Sequence, residues 1–289
     1  MTLNEQTHNT VHSVDVVSTG WVRIRPEHAE SRRTPQLWWL LTSRRWTAKL
    51  PINVYVIDHA EGLVLFDTGQ DRRSVTDPEY FPRGLAGWGF RRLAQFGIGA
   101  GDTLTAQLRR IGRRPEDVRV AVLSHLHQDH IGGISELAQA RLVVSRDEWA
   151  SLDRPHPELS GLLVRHLRLP GLAWDPVDLD QPLEDVQPFT VGHDLFGDGS
   201  LVLLPTPGHT PGSLSMLIRR ADRPPLLLVG DLTYDASGLA DERIPGVGRR
   251  GDLVAATRLI GTLRARHPDL VVLAAHDPAA RSLLEASNA

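Results

Sequence analysis

The sequence has no cysteine among its 289 residues. This absence excludes disulfide bonds, thiol nucleophiles and cysteine-ligated zinc, although it says little about the cellular compartment. The sequence also lacks an excess of positive charge, because its formal net charge is −3. Without a positive field the chain is not expected to bind nucleic acid, and its arginine pairs are interpreted as solvated helix faces.

Long hydrophobic runs are missing as well. The apolar stretches have the length of strands, whereas a membrane-spanning helix needs about 20 consecutive apolar residues. The N-terminal residues are polar and lack the basic-then-apolar order of a signal peptide. We therefore expect a cytoplasmic protein that does not associate with membranes.

The apolar pattern predicts one α/β domain over residues 14–289, preceded by a disordered tail over residues 1–13. Strands are expected at residues 14–24, 52–57, 63–66, 118–123, 141–144, 190–194, 201–204, 213–218, 226–229 and 270–274. Helices are expected at residues 102–112, 134–140, 147–152 and 253–266. Residues 80–100 have no clear period and are interpreted as a lid or binding loop, and residues 170–188 as a connecting loop. Both halves run from strands to helix, which favours two packed sheets with helices outside.

Four potential metal ligands lie within six residues, directly after the predicted strand at 118–123. They are His125, His127, Asp129 and His130. Imidazole and carboxylate groups suit zinc, iron or manganese, and four of them suit two neighbouring ions better than one open catalytic ion. A chance run of surface histidines is the alternative, but loops at strand ends are where catalytic groups are commonly held.

Three further candidates also follow predicted strands. His209 lies in a turn rich in proline and glycine, Asp231 follows strand 226–229, and His276 follows strand 270–274. Each could by itself be an ordinary turn or surface residue, but their shared placement allows one site to collect them. Asp67 also ends a strand, and we expect its carboxylate to accept a ring N–H from a ligand histidine.

Taken in this order, with Asp67-Thr68-Gly69 upstream, the pattern resembles the metallo-β-lactamase superfamily from about residue 53 to residue 277. The resemblance implies a metallo-β-lactamase-like αββα sandwich of two mixed β-sheets flanked by helices, with a two-metal site at one edge. It implies that the first metal is held by His125, His127 and His209. It implies that the second is held by Asp129, His130 and His276, with Asp231 bridging both. Zinc is the expected metal, and manganese, cobalt and iron are alternatives.

Within the superfamily, residues 102–125, 206–213 and 231–234 are most similar to N-acyl homoserine lactonases, the quorum-quenching enzymes. In that family a tyrosine follows the bridging aspartate by three residues, as Tyr234 does here. Gln128 is a departure, because an aromatic residue is common at its position. The lack of cysteine argues against the β-lactamase classes that use a cysteine ligand.

The resemblance implies a hydrolase that opens a lactone ring. A hydroxide bridging the two metals would attack the carbonyl carbon, and Tyr234 would donate a hydrogen bond to the oxyanion. Asp129 or a metal-bound water would return a proton to the leaving alkoxide. Tyr234 could instead be a packed surface tyrosine. Alternative functions are hydrolysis of another ester, a thioester or a phosphotriester, an iron-dependent sulfur dioxygenase, and a non-catalytic binding module.

The substrate is expected to be a small lactone or ester, and a homodimer is one option for the assembly. Two irregular stretches hold aromatic residues that could line an acyl-chain pocket or pack in the core or a dimer interface. They are Trp38, Trp39, Trp46, Phe81, Trp88, Phe90 and Phe96. The histidines without motif context are expected to have ordinary surface or core roles. They are His8, His12, His28, His59, His156, His166, His193 and His267.

Overall fold

A computed structural model describes residues 9–32 and 34–288 and contains two β-sheets. The first sheet has seven strands, in the order β4-β1-β2-β3-β5-β6-β7. Its strands are β1 (Val11–Ile24), β2 (Leu50–His59), β3 (Gly62–Phe66), β4 (Ala94–Gly97), β5 (Val118–Val122), β6 (Arg141–Ser145) and β7 (Ala173–Val177). The pairs β3–β5, β5–β6 and β6–β7 are parallel and the other pairs are antiparallel.

The second sheet has six strands, in the order β13-β12-β11-β10-β9-β8. Its strands are β8 (Gln181–Pro182), β9 (Val191–Asp194), β10 (Leu201–Pro205), β11 (Leu214–Ile218), β12 (Leu226–Leu228) and β13 (Val271–Leu273). Strands β12 and β13 are parallel, whereas the remaining neighbours are antiparallel. Both sheets are therefore mixed.

Helices flank the two sheets. They are α1 (Pro26–Ala29), α2 (Gln36–Thr42), α3 (Arg73–Thr76), α4 (Gly84–Leu93), α5 (Leu104–Arg110), α6 (Arg146–Ala150), α7 (Val164–Leu167), α8 (Arg250–Arg266) and α9 (Ala280–Ala286). Within residues 9–32 and 34–288, no helix has both the length and the apolar character needed to cross a bilayer.

Side chains that alternate along each strand divide the core into three layers. In β10, Leu201 and Leu203 pack between the two sheets, whereas Val202 and Leu204 pack on the opposite face with α8 residues such as Ile260. On the outer face of the first sheet, Leu108 of α5 belongs to a third cluster. The alternation follows from the two-residue period of a strand. The expected αββα sandwich of two mixed sheets flanked by helices is confirmed.

The boundary of the predicted N-terminal tail is wrong. Strand β1 begins at Val11, which is buried and pairs with His59 of β2, so residues 11–13 are ordered by the sheet. Residues 1–8 lie outside the described residues. A single domain over residues 14–289 remains a prediction.

Three shorter expectations are also corrected. Residues 80–100 are not one irregular loop, because they contain α4 and β4, and β4 forms by pairing with β1. Residues 170–188 contain β7 and β8. The helix expected at 134–140 is only a 3₁₀ turn over Ile134–Glu136, in which the Leu137 N–H donates to the Ile134 carbonyl at 3.1 Å. At Leu137 the backbone leaves helical geometry, with φ −120° and ψ 41°, and the Ala140 N–H closes a separate turn onto the Leu137 carbonyl at 3.0 Å.

Candidate metal centre

The carboxyl ends of β5, β10, β12 and β13 meet at one edge of the sandwich, and the candidate ligands follow these strands. The structure brings all seven of them together there. Three overlapping groups have ligand atoms within 4.8 Å of one another. The groups are His125, His127 and His209; His125, His130 and Asp231; and Asp129, His130 and His276.

Three ring nitrogens converge in the first group. The Nδ1 atom of His127 lies 3.0 Å from Nε2 of His125 and 3.0 Å from Nε2 of His209. Burial, reinforced by the neighbouring imidazoles, lowers the pKa of His125 and of His209 well below the usual range. Neutral imidazoles with converging lone pairs are the form of histidine that binds a metal ion.

The second group is formed by a carboxylate and two further imidazoles. Nε2 of His276 lies 3.5 Å from Oδ2 of Asp129. Burial opposes protonation of His130, but the carboxylates of Asp67 and Asp231 outweigh it and raise the pKa of His130 well above its usual range. The second group contains one carboxylate, that of Asp129, whereas the first contains none.

Asp231 lies between the two groups. Its Oδ1 atom is 3.3 Å from Nε2 of both His130 and His276, and its Oδ2 atom is 3.6 Å from Nε2 of His209. Burial opposes ionisation of this carboxyl, but His276 and His130 outweigh it and hold the pKa of Asp231 well below the usual range. One ionised carboxylate thus reaches both groups, which is the geometry of a bridging ligand.

Two ligand atoms in this centre are buried without a hydrogen-bond partner among the described residues. They are Nε2 of His130 and Oδ1 of Asp231, which are close but not aligned as a hydrogen bond. A buried polar atom without a partner is costly. Divalent cations would satisfy both atoms, so the nitrogen and oxygen donors present fit the expected two-metal site.

The second ring nitrogen of several ligands is held in place by the surrounding protein. Nδ1 of His130 lies 2.8 Å from Oδ2 of Asp67, the contact expected from the sequence, and Nδ1 of His276 lies 2.8 Å from the Pro51 carbonyl. Oδ1 of Asp67 also accepts the Ser124 N–H at 2.7 Å. Such contacts fix the tautomer and orientation of each imidazole, so Nε2 faces the site.

Glu148 is a positioning residue that the sequence did not reveal. Its side chain, in α6, is fully buried. Oε1 accepts the Leu126 N–H at 3.0 Å and Oε2 accepts the Gly212 N–H at 3.1 Å. One carboxylate thereby joins the loop of His125 to the turn that carries His209. No sequence motif distinguishes Glu148 from any other glutamate on a short helix, so the sequence alone could not identify its role.

Replacing Glu148 with alanine is expected to lower the free energy of unfolding by about 2 to 4 kcal/mol, because two buried N–H groups lose their acceptor. Urea denaturation followed by circular dichroism measures this change. Glu148→Gln, which keeps one acceptor oxygen, should lose less. Asp147→Ala on the exposed side of the same helix is the matched control. Equal stability of Glu148→Ala and the control would contradict the role of the carboxylate.

Tyr234 is buried beside the centre rather than packed on the surface. Its hydroxyl donates to Oδ2 of Asp231 at 3.0 Å and lies 3.1 Å from Nε2 of His28. His28 belongs to α1, and burial lowers its pKa to about 4. An ordinary surface or core role is expected for His28 from the sequence; His28 is buried, and it also lines a cavity beside the metal candidates. No motif marks this histidine, since it follows β1 in a segment that reads as a polar loop.

A cavity of about 420 Å³ opens onto the metal candidates. Tyr234 and His28 line the end at the metal candidates. Much of the remaining wall is apolar and includes Val22, Ile24, Phe90, Leu93, Ala94 and Phe96, and the polar residues Gln36, Arg154 and Arg249 also line it. A second cavity of about 690 Å³ lies behind this wall and shares Phe90, Ala94 and Phe96 with the first. Phe81 lines only the second cavity, and its ring centroid lies 5.1 Å from that of Phe90.

The aromatic residues are expected either to line an acyl-chain pocket or to pack in the core or a dimer interface, and both the cavity and the core hold some of them. Phe90 and Phe96 line the cavity beside the metal candidates. Trp39 is buried at 3% exposure, and Trp46 packs under the Arg25 guanidinium, which lies 3.6 Å from the ring centroid. Trp38 is 64% exposed. Aromatic residues therefore contribute to the cavity wall, the core and the surface.

The sequence profile of the metallo-beta-lactamase superfamily matches residues 47–276. The chain belongs to this superfamily. Among its relatives, N-acyl homoserine lactonase AttM of Rhizobium radiobacter is 31% identical over 234 residues, which cover 80% of this chain and 83% of AttM. The resemblance to N-acyl homoserine lactonases is thereby confirmed.

Solved structures show the same fold. An N-acyl homoserine lactone hydrolase with its product N-hexanoyl-L-homoserine bound at the catalytic metal centre matches with a TM-score of 0.74 and 21% identity, covering 93% of this chain and 94% of that one. AidC, a dizinc quorum-quenching lactonase with the same kind of product, matches with a TM-score of 0.63 and 17% identity, covering 95% of this chain and 92% of AidC. At such identities the likeness establishes the fold.

Proposed function

We propose that this protein hydrolyses the lactone ring of N-acyl homoserine lactones at a two-metal site. The observation that carries the proposal is Asp231, a single ionised carboxylate that reaches two groups of ligands at one end of a largely apolar cavity. The relatives named as N-acyl homoserine lactonases support this choice of substrate over other esters.

The ligand roles follow the grouping in space. His125, His127 and His209 would hold one ion; Asp129, His130 and His276 would hold the other; Asp231 would bridge them. Bound divalent ions would lower the pKa of water and polarise a carbonyl group. We propose zinc, because imidazole and carboxylate donors suit it and AidC is a dizinc enzyme. Manganese, cobalt and iron suit the same donors.

The Tyr234 hydroxyl is a hydrogen-bond donor that stays protonated at neutral pH. Burial, followed by the negative charges of Asp231 and Asp129, raises the pKa of Tyr234 well above its usual range. The hydroxyl can therefore turn from Asp231 to a substrate oxygen as negative charge develops there. Asp129 lines the same cavity, where its carboxylate can carry a proton to the leaving alkoxide.

The proposal is tested by comparing substrates on the zinc-loaded protein. We expect kcat/KM for N-acyl homoserine lactones to exceed that for an aryl ester, a thioester and a phosphotriester by about 100-fold, because only the lactones match both the reactive centre and the apolar cavity. The ring-opened product is followed by pH-indicator assay and mass spectrometry. A higher kcat/KM for the phosphotriester, or oxygen consumption by the iron-loaded protein with a thiol substrate, would contradict the proposal.

The cytoplasmic location and the homodimer stay proposals. Cell fractionation and sedimentation velocity test them directly.

A further inference from the structure

Gln128 lies inside the ligand loop, between His127 and Asp129, and lines the cavity. Its side chain is only 2% exposed, yet neither Nε2 nor Oε1 has a hydrogen-bond partner among the described residues. An unpaired carboxamide in a buried position costs free energy on both its donor and its acceptor side. In a cavity that admits a substrate, such a group points to a polar ligand.

The loop does not need this carboxamide for its own fold. The Leu126 N–H is bound by Glu148, and the His130 N–H donates to the His127 carbonyl at 3.0 Å. The neighbouring side chains of His127 and Asp129 face other candidate ligands. Gln128 is thus a polar side chain of the loop that neither supports the loop nor faces another candidate ligand.

The residues that line the cavity indicate which ligand group would meet Gln128. The reactive ring of an N-acyl lactone belongs at the metal candidates, and its acyl chain belongs along the apolar wall that includes Leu93 and Phe96. The secondary amide lies between these two parts of the substrate. A carboxamide offers an acceptor and donors, which complement the N–H and the carbonyl of that amide. A phenylalanine at this position could make neither hydrogen bond.

We propose that Gln128 is a specificity residue whose carboxamide binds the amide group of N-acyl lactones. This inference rests on the proposed hydrolysis of N-acyl homoserine lactones and assigns the residue that recognises their amide group. It distinguishes these substrates from alkyl lactones of the same length, which occupy the same apolar wall but leave the carboxamide unpaired.

The test compares Gln128→Leu with the wild-type protein, both zinc-loaded, on an N-acyl homoserine lactone and on an alkyl γ-lactone of equal chain length. We expect the substitution to lower kcat/KM for the amide-bearing lactone by about 10- to 100-fold, chiefly through KM, and to change the alkyl lactone by less than about twofold. Gln107→Leu, at a buried glutamine whose Nε2 donates to Gly101, is the matched control. Calorimetric binding of the ring-opened N-acyl homoserine, compared with the ring-opened alkyl hydroxy acid, gives a readout independent of turnover.

Equal losses on the two lactones, or no loss on the amide-bearing one, would overturn the assignment. A loss confined to lactones with an oxygen on the acyl chain would also overturn it, because the partner would then be the chain oxygen. If Gln128→Leu does not fold, Gln128→Met is compared in the same way. Wild-type protein that opens neither lactone would refute the proposed function itself, so the two failures are distinguishable.

Discussion

Asp231→Asn is expected to lower kcat/KM for lactone hydrolysis by at least about 1,000-fold. Asparagine keeps the shape of the side chain but removes the charge that faces His130 and His276 through Oδ1 and His209 through Oδ2. Without this negative charge, the repulsion between two neighbouring cations would be less well balanced, and we expect weaker metal binding. Steady-state kinetics and metal content per chain, measured on the same samples, check this result.

The control is Asp241→Asn, an exposed aspartate whose nearest cation is Arg243 at 3.8 Å. It should retain full activity and the wild-type metal content. Chelation of the wild-type protein should likewise abolish hydrolysis, and zinc, cobalt or manganese should restore part of it. A metal-free sample with full activity, or an Asp231→Asn protein that keeps both its metals and its rate, would rule out the bridging role.

Tyr234→Phe is expected to lower kcat by about 10- to 100-fold with little change in KM, because the hydroxyl acts on charge that develops only in the transition state. The buried phenol is already placed beside Asp231 at 3.0 Å. Tyr55→Phe is the matched control, since it removes a buried hydroxyl that donates to the Ala274 carbonyl outside the cavity. A rate for Tyr234→Phe equal to that control would assign Tyr234 to packing.

The neighbouring His28 allows a sharper version of this experiment. The Tyr234 hydroxyl has one proton, which is directed at Asp231, so the Nε2 of His28 at 3.1 Å is the donor of their hydrogen bond. His28→Leu should therefore lower kcat less than Tyr234→Phe does, and should add almost nothing in the Tyr234→Phe background. Additive losses would mean that His28 does not act through Tyr234.

The candidate ligands are marked by their own neighbours in sequence. His125, Asp231 and His276 each follow an apolar run, so one edge of the sheets can collect them, whereas their assignment to two metals comes from the family resemblance. Asp67 carries the same signal. Such residues need only local pattern and the general rule that loops at strand ends hold functional groups.

His28 and Glu148 could not be found in this way, because contacts between distant parts of the chain define their roles. His28 meets Tyr234 across 206 positions, and Glu148 meets Gly212 across 64. The strand β4 is hidden in the sequence for a related reason: its four residues become a strand only by pairing with β1. Pairing and burial over long sequence separations override weak local preferences.

The rings of Phe90 and Phe96 separate the two cavities, and this wall can vary in evolution independently of the ligand candidates. Phe90 and Phe96 come from α4 and β4, whereas the ligand candidates come from other elements. Substitutions in this wall can therefore alter the room available for an acyl chain without moving a ligand. The wall and the ligand candidates belong to different elements. Selection can therefore change which length of acyl chain is accepted while the chemistry stays unchanged.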